Sequence, residues 1–265
     1  MCDKVPRILV TGASGLLGRA VIKVLKEKEW KVVGIAFSRV GPGLRRCDLT
    51  NEEDVSTLIK EEKPDVIIHA AAQRFPDIVE NKYEETVLLN VKTSALIASI
   101  AHEIGCKMIH ISTDYVFDGS APPYTVEDKC NPLSKYGQTK LDSEQAILTE
   151  VSSACILRVP VLYGPVERLE ESAVTCLLGI LKSKEPKSVS HYDKRCPAHV
   201  HDVAHILCDM ITLMMKVKLE MLGEYERGVN RRILFKKYGI KKSTIYDIIH
   251  AKDKLRPKAK KIDTG

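Results

Sequence analysis

The 265-residue sequence lacks the features that define several protein classes. It has no apolar run of about 18 residues, the length that a membrane-spanning helix needs. Residues 1–7 lack the apolar region of a secretory signal peptide, so we expect no leader there. The eight cysteines are scattered and form no CxxC pair, which is typical of reduced thiols in a cytosolic or nuclear protein. We therefore expect a cytoplasmic location, with the nucleus as an alternative.

A metal site is not expected either. His191, His199 and His201 lie close together in the sequence, but no Cys or acidic residue stands at a convincing zinc spacing from them. The sequence therefore predicts no metal-binding site.

The charge is unevenly distributed along the chain. Residues 216–265 contain 15 Lys/Arg and 6 Asp/Glu, a net charge of +9, whereas the whole chain carries +6. Residues 1–215 therefore carry −3. This asymmetry indicates two modules, and we predict domains at 1–215 and 216–265.

Apolar periodicity predicts alternating strands and helices in the first module. The predicted strands are 7–11, 31–37, 65–70, 107–112 and 154–162, and the predicted helices are 16–28, 52–62, 84–104, 136–149 and 202–216. Asn51 is the expected cap of the second helix, and Pro64 is expected to end it. This alternation is typical of parallel βαβ units, so we predict an α/β fold with a doubly wound, Rossmann-type parallel sheet.

A glycine-rich turn joins the first predicted strand to the first predicted helix. It reads TGASGLLG, and glycine permits the close backbone approach and positive φ angles that a bound pyrophosphate requires. The helix N-terminus then offers free N–H groups to the phosphates. The predicted contacts are Thr11, Gly12, Ser14, Gly15, Leu16, Leu17 and Gly18. The alternative is a tight turn that binds nothing.

The end of the second strand indicates which dinucleotide binds. NAD-binding proteins usually place an acidic residue there, but this chain has Phe37, a serine and Arg39. We predict NADP, with Arg39 on the 2′-phosphate and Arg45 or Arg46 as additional partners; the alternative for Arg39 is a solvated loop charge. Asp48 is predicted to accept a hydrogen bond from the adenine amino group, or else to be a plain acid at a helix N-terminus.

A catalytic pattern follows at YGQTK. Tyr136 and Lys140 share one helix face, where an ammonium group lowers the pKa of the phenol and can hold the nicotinamide ribose. Tyr136 would then donate a proton to a carbonyl oxygen that Thr113, next to Ser112, also contacts. A second YxxxK at 238–242 fits no reductase site, so the order of the motifs carries the argument; the alternative for Tyr136 is an ordinary surface tyrosine.

Together, TGASGLLG, Asn90 in LNV, STDYVFDG, YGQTKLDSE and LRVPVLYG resemble extended short-chain dehydrogenases/reductases of the dTDP-4-dehydrorhamnose reductase type. Within that group, GLLGRAV, APPY, CPAHVHDVA and especially LYGPVERLEESAVT resemble the regulatory β subunits of methionine adenosyltransferase, over residues 6–213. The resemblance implies an NADP-binding partner of the catalytic subunit that makes S-adenosylmethionine, regulatory although the Thr/Tyr/Lys set is retained. Its alternative is an active NADPH-dependent reductase of a 4-keto-6-deoxy sugar nucleotide or similar carbonyl. It also implies nucleotide contacts at Leu49, Ala70, Ala71, Ala72, Asn90, Tyr136, Lys140 and Pro160.

That family continues with a region that closes the substrate cleft and with a tail that engages the catalytic subunit. Here the family pattern stops near Met214. We therefore expect both parts to be missing and some apolar surface of the first module to be uncovered.

The basic segment has a different pattern, with helices predicted at 217–228, 230–239 and 241–255. YGIKKSTIYDII resembles the psq or CENP-B type helix-turn-helix of pogo/Tigger transposases, which implies weak duplex DNA binding through 216–265. The alternatives are a solvated basic helical tail or a spurious join in the gene model.

Overall fold

The structure is a computed structural model that describes residues 5–183, 185–186, 188, 194–230, 233–234 and 237. The chain divides into two compact units, 1–208 and 209–265. The strands are β1 Arg7–Thr11, β2 Lys31–Ala36, β3 Leu44–Arg46, β4 Val66–His69, β5 Lys107–Thr113, β6 Cys155–Val159, β7 Leu162–Tyr163 and β8 Ala198–His199. The helices are α1 Leu16–Glu27, α2 Glu52–Glu62, α3 Pro76–Asn81, α4 Tyr83–Val87, α5 Thr93–Glu103, α6 Lys135–Glu150, α7 Cys176–Lys182 and α8 Val200–Glu226.

The first six strands form one parallel sheet in the order β3-β2-β1-β4-β5-β6. This confirms the α/β class and the doubly wound Rossmann-type sheet. The chain leaves β1 toward one edge and returns at β4 toward the other, so the strand order reverses between them. In such sheets a crevice opens at the carboxyl ends of the strands at this switch point, which is where ligands bind.

Burial explains why the central strands hold the sheet together. Every residue of β4 is buried, as is every residue of β1 after Arg7, because helices cover both faces of a parallel sheet. An apolar stripe of α1, which includes Val21 and Leu25, packs against the sheet. α2 begins as predicted at Asn51, whose side chain accepts hydrogen bonds from the backbone N of Glu53 and Asp54.

Some elements differ from the predicted ones. β3 was not predicted, because it is three residues long and two of the three are exposed. The predicted helix 84–104 is interrupted by a π-helical turn at Leu88–Lys92. The predicted strand 154–162 is divided at Pro160 into β6 and β7, and β7 pairs with β8 in a separate two-stranded ribbon.

The helices predicted at 202–216 and 217–228 form one continuous helix. α8 continues through 215–216 to Glu226, and Gly228 follows it with a φ of 85°, a common glycine conformation after a helix. The predicted domain boundary at 215/216 stays a prediction. Most of the second and third predicted tail helices lies outside the described residues, as does His191. Among the residues that the structure describes, no helix combines the length and the apolar content that a bilayer crossing needs.

Candidate functional site

The turn between β1 and α1 has no room for side chains at two of its glycines. Gly12 has a φ of 68°, and a Cβ there would lie 2.8 Å from the backbone N of Ala71. A Cβ on Gly18 would overlap the carbonyl oxygen of Gly12. α1 begins after Gly15 with no side-chain cap and no acidic residue in its first turn. Neither the cap residue nor the first turn of α1 therefore supplies a side chain that neutralises its positive end, which is an arrangement that favours a phosphate group.

Arg39, the predicted partner of the 2′-phosphate, is held by a carboxylate that was not predicted. Its Nη1 donates to Oε1 of Glu171, and Arg19 donates to both oxygens of the same carboxylate at 3.2 and 2.6 Å. Arg74 Nη2 adds a hydrogen bond of 2.6 Å to the backbone carbonyl of Glu171. Burial alone raises the pKa of Glu171, but the hydrogen bonds from Arg19 and Arg39 lower it to about 2. The carboxylate is therefore charged at neutral pH.

The other residues predicted for the adenosine end have plainer partners. Arg45 donates to two glutamates of α2, which raise its pKa. The guanidinium of Arg46 lies 5.7 Å from the ring centroid of Phe37. Asp48 accepts hydrogen bonds from the backbone N and the hydroxyl of Thr50, so it shapes the turn before α2. Arg39 is connected to the glycine turn through the Glu171 carboxylate and Arg19, which also donates to the Ser14 carbonyl at 2.8 Å.

Helix α6, which carries the YxxxK motif, packs on the segment that follows β5. Its first turn is capped by Ser134, whose hydroxyl accepts from the backbone N of Gly137. A Cβ at Gly137 would overlap the carbonyl oxygen of Tyr115, so the glycine of YGQTK permits this close approach. The rings of Tyr136 and Tyr115 meet edge to face with centroids 6.2 Å apart. Thr113 Oγ1 accepts from the backbone N of Tyr115 at 3.2 Å. The structure therefore brings Thr113 and the YxxxK helix to one place.

The electrostatics of Tyr136 differ from the prediction. Burial raises the pKa of its phenol to about 12, and the cation that opposes this rise is Arg74. Lys140, which we expected to lower this pKa, is not among the groups that shift it. The reason is that Lys140 is itself buried, and burial lowers its own pKa to about 7 although Glu144 raises it.

Lys140 of this motif contacts His110, one of two buried histidines that lie side by side in the sheet. Its Nζ lies 3.0 Å from Nε2 of His110. His110 on β5 is the register partner of His69 on β4, and their rings lie 5.3 Å apart. Burial and the Lys140 charge lower the pKa of His69 to about 3 and hold that of His110 well below its usual range. Both imidazoles are therefore neutral at physiological pH.

A directed chain of hydrogen bonds connects His69 to the glycine turn. The Ser94 hydroxyl donates to the Asn90 carbonyl at 2.7 Å, so it accepts from Nε2 of His69 at 2.9 Å. Nδ1 of His69 then accepts from the Thr11 hydroxyl at 2.7 Å, and Thr11 Oγ1 accepts from the backbone N of Ala71 at 3.3 Å. The end of β1, the loop after β4 and the π turn are thereby held as one unit.

The side chain of Asn90 continues this connection to α6. It accepts from the backbone N of Gln73 at 2.8 Å, and it donates to the Gln73 carbonyl at 2.9 Å and to Thr139 Oγ1 at 3.1 Å. Ala70, Ala71 and Ala72 connect His69 to Gln73, so hydrogen bonds hold this segment at both of its ends. The Leu49 carbonyl, before α2, accepts from Thr93 Oγ1 at 2.8 Å. Pro160 follows β6 at the same edge of the sheet.

The most important residues missed by the sequence reasoning are Glu171 and the histidine pair. A signal existed for the histidines, since each interrupts an apolar strand, in DVIIHA and in KMIHIS. Glu171 lies in LEESAVT, which served only as a mark of resemblance. Its role depends on a fold that brings residues 19, 39 and 171 together, and spacing alone does not predict that.

Comparison with known proteins agrees with this architecture. The family model described as the RmlD substrate binding domain matches residues 6–244, which extends the similarity past residue 213. Methionine adenosyltransferase 2 subunit beta of Xenopus laevis is 48% identical over 201 residues, which are 76% of this chain and 60% of that protein. The chain thus spans about 60% of the length of such curated relatives.

Two solved structures share the fold over most of the chain. A dTDP-4-dehydrorhamnose reductase from Clostridium acetobutylicum superposes with a TM-score of 0.68 and 32% identity, over 78% of this chain and 70% of that one. The dTDP-4-dehydrorhamnose reductase of Bacillus anthracis, solved in complex with NADP, gives a TM-score of 0.66 and 27% identity over the same shares. Sequence and fold therefore point to the same group of proteins.

Proposed function

The chain belongs to the RmlD substrate binding domain family, and we propose that it is an NADP-binding regulatory subunit of methionine adenosyltransferase, supporting S-adenosylmethionine synthesis. The observation that carries this proposal is the 48% identity, over 201 residues, to a protein named as the β subunit of that enzyme. The similarity includes the segment that supplies Glu171.

The residues at the carboxyl edge of the sheet fit a dinucleotide. Close backbone packing at Gly12 and Gly18 fixes the shape of the glycine turn, and α1 begins without an acidic residue in its first turn. We assign the pyrophosphate to this turn, the 2′-phosphate to Arg39, and the nicotinamide end to the side of Tyr136 and Lys140. When bound, NADPH supplies a hydride. The NADP complex of the Bacillus anthracis reductase supports the choice of a nicotinamide cofactor.

The state of the YxxxK pair supports regulation over turnover. Proton transfer is most effective when the pKa of the donor is close to the working pH. A Tyr136 phenol with a pKa of about 12 is a weak acid at neutral pH, and Lys140 contacts His110 beneath it. In the nucleotide-free chain the pair is therefore poorly set for proton transfer, which accords with a regulatory role.

Complex formation tests this proposal. The chain is mixed with the catalytic subunit of methionine adenosyltransferase at micromolar concentration and saturating NADP. The two should then elute from a size-exclusion column as one complex, whose mass is measured by light scattering. A Gly12→Ala variant controls for the contribution of the nucleotide. A folded, NADP-loaded chain that elutes separately from the catalytic subunit contradicts the proposal.

A second candidate is an NADPH-dependent reductase of a 4-keto-6-deoxy sugar nucleotide or similar carbonyl. It is favoured by the packing of α6 on the segment after Thr113 and by the likeness to dTDP-4-dehydrorhamnose reductase. It requires steady NADPH consumption that Tyr136→Phe abolishes, while Tyr163→Phe, at an exposed tyrosine, leaves it intact. A flat trace with the 4-keto-6-deoxy sugar nucleotide would count against it.

A further inference from the structure

Three arginines from the nucleotide-binding edge of the sheet converge on one residue. Arg19 comes from α1, Arg39 follows β2, and Arg74 follows β4; all three contact Glu171, at the end of the short helical turn Leu169–Glu171. Because the side chain of Glu171 is only 5% exposed, its carboxylate is shielded from water and firmly paired. A residue far along the chain thus fixes side chains that lie around the predicted cofactor site.

The contact with Arg39 uses one end of the guanidinium group. Glu171 accepts from Nη1, whereas Nη2 and Nε of Arg39 donate to no partner within the described part of the chain. Arg19 ties the same carboxylate to the glycine turn through its 2.8 Å hydrogen bond to the Ser14 carbonyl. An adjacent glutamate, Glu167, lies 3.4 Å from Arg19 and 3.7 Å from Arg39, but its side chain is 60% exposed.

We propose that Glu171 is a positioning residue for nucleotide specificity, which holds Arg39 so that its Nε–Nη2 edge meets the 2′-phosphate of NADP(H). The inference rests on the proposed binding of NADP. A planar guanidinium binds a phosphate best through two parallel N–H groups, and this requires a fixed orientation. A freely rotating Arg39 would have to be ordered when the nucleotide binds, which costs affinity. Glu171 removes that cost for NADP(H) and offers nothing comparable to NAD(H), which has no 2′-phosphate.

The test compares NADPH and NADH affinities across matched variants. Calorimetric or fluorescence titration would measure both Kd values for the unaltered chain, Glu171→Met, Glu171→Gln and Glu167→Gln. We expect the preference for NADPH to fall roughly three- to tenfold in Glu171→Met, the loss that corresponds to ordering one long side chain. Glu171→Gln, which keeps an acceptor oxygen, should retain most of the preference, and Glu167→Gln should retain all of it.

The outcomes separate this inference from the proposed function. If the unaltered chain binds neither nucleotide, or binds both equally, the proposal of an NADP site fails and the inference fails with it. If the unaltered chain prefers NADPH but Glu171→Met weakens the binding of both nucleotides equally, Glu171 has only a structural role. The inference alone is then overturned. A preference for NADPH that rises in Glu171→Met would show a carboxylate that competes with the phosphate, which also overturns it.

A structure of the unaltered chain with NADP bound provides the second test, and it does not depend on the folding of a variant. We expect Arg39 to keep its Nη1 contact with Glu171 while Nε and Nη2 contact the phosphate. An Arg39 that has left Glu171 to reach the phosphate would overturn the inference.

Discussion

Nζ of Lys140 lies 3.0 Å from Nε2 of His110, so a buried imidazole holds the lysine of the YxxxK motif. Burial of this lysine accounts for two features of the site. Lys140 shares its helix face with Tyr136, yet it does not lower the pKa of the phenol. Burial lowers the pKa of Lys140 itself to about 7, so the amine is close to half-protonated at neutral pH.

Removal of Lys140 should stabilise the nucleotide-free chain, most of all in acid. The pKa of Lys140 is about 7 in the folded chain against 10.5 for an unperturbed lysine. Between these values the unfolded chain binds a proton that the folded chain does not, so the free energy of unfolding rises with pH, by at most about 1.4 kcal/mol per unit. Lys140→Met removes this dependence, and its stability advantage over the unaltered chain should shrink as pH rises from 6 to 10. Urea unfolding of both proteins at several pH values measures this difference in the free energy of unfolding.

Lys135→Met is the matched control for that experiment, because Lys135 begins the same helix but is exposed and pairs with Glu80 on the surface. Its effect on the free energy of unfolding should be small, because an exposed ion pair contributes little. An advantage of Lys140→Met that stays constant from pH 6 to 10 would contradict the depressed pKa.

His69 should make the fold sensitive to acid. Its pKa is about 3 in the folded chain against 6.5 for an unperturbed histidine, because it is fully buried. As pH falls from 6.5 toward 3, this histidine binds a proton in the unfolded chain but not in the folded chain. The free energy of unfolding therefore decreases. His69→Asn should reduce this slope by up to about 1.4 kcal/mol per pH unit. His205→Asn, at an exposed position of α8, is the matched control. Equal slopes for all three proteins would refute the prediction.

Gly12→Ala should abolish nucleotide binding and destabilise the fold. The added Cβ would lie 2.8 Å from the backbone N of Ala71, in a residue whose φ of 68° disfavours any side chain. The loss of stability should be about 1 kcal/mol or more, since backbone rather than a flexible side chain must move. Gly41→Ala is the control, because a Cβ there meets nothing within 4 Å. Calorimetric unfolding with and without NADPH distinguishes the two variants.

The fold was largely predictable, because its signals are local. The strand, glycine turn and helix at 7–27 follow from apolar periodicity and from the conformational freedom of Gly12. The Asn51 cap was visible for the same reason. β3 escaped prediction because it has almost no buried side chain and is held by backbone pairing to β2. The break at Leu88–Lys92 was not predicted, because the whole of 84–104 was assigned to a single helix.

The candidate site was predictable only where one motif supplies it. Gly12, Tyr136 and Lys140 follow from spacing within a turn or a helix. The partners that set their chemistry come from distant segments: Glu171 reaches Arg39 from 132 residues away, and His110 reaches Lys140 from 30 residues away. The pKa of Tyr136 was mispredicted for the same reason, since burial is a property of the packed chain.

Thermal unfolding of the purified chain alone, with excess NADPH and with excess NADH tests the central claim most directly. A ligand at 100 times its Kd adds about 2.7 kcal/mol to the free energy of unfolding, which is roughly a 5–10 °C rise in Tm for a domain of this size. The account predicts one cooperative transition that NADPH raises more than NADH, because Arg39, which is linked to the glycine turn through Glu171 and Arg19, is assigned to the 2′-phosphate. A cooperative transition that neither nucleotide moves, or that both move equally, would contradict it.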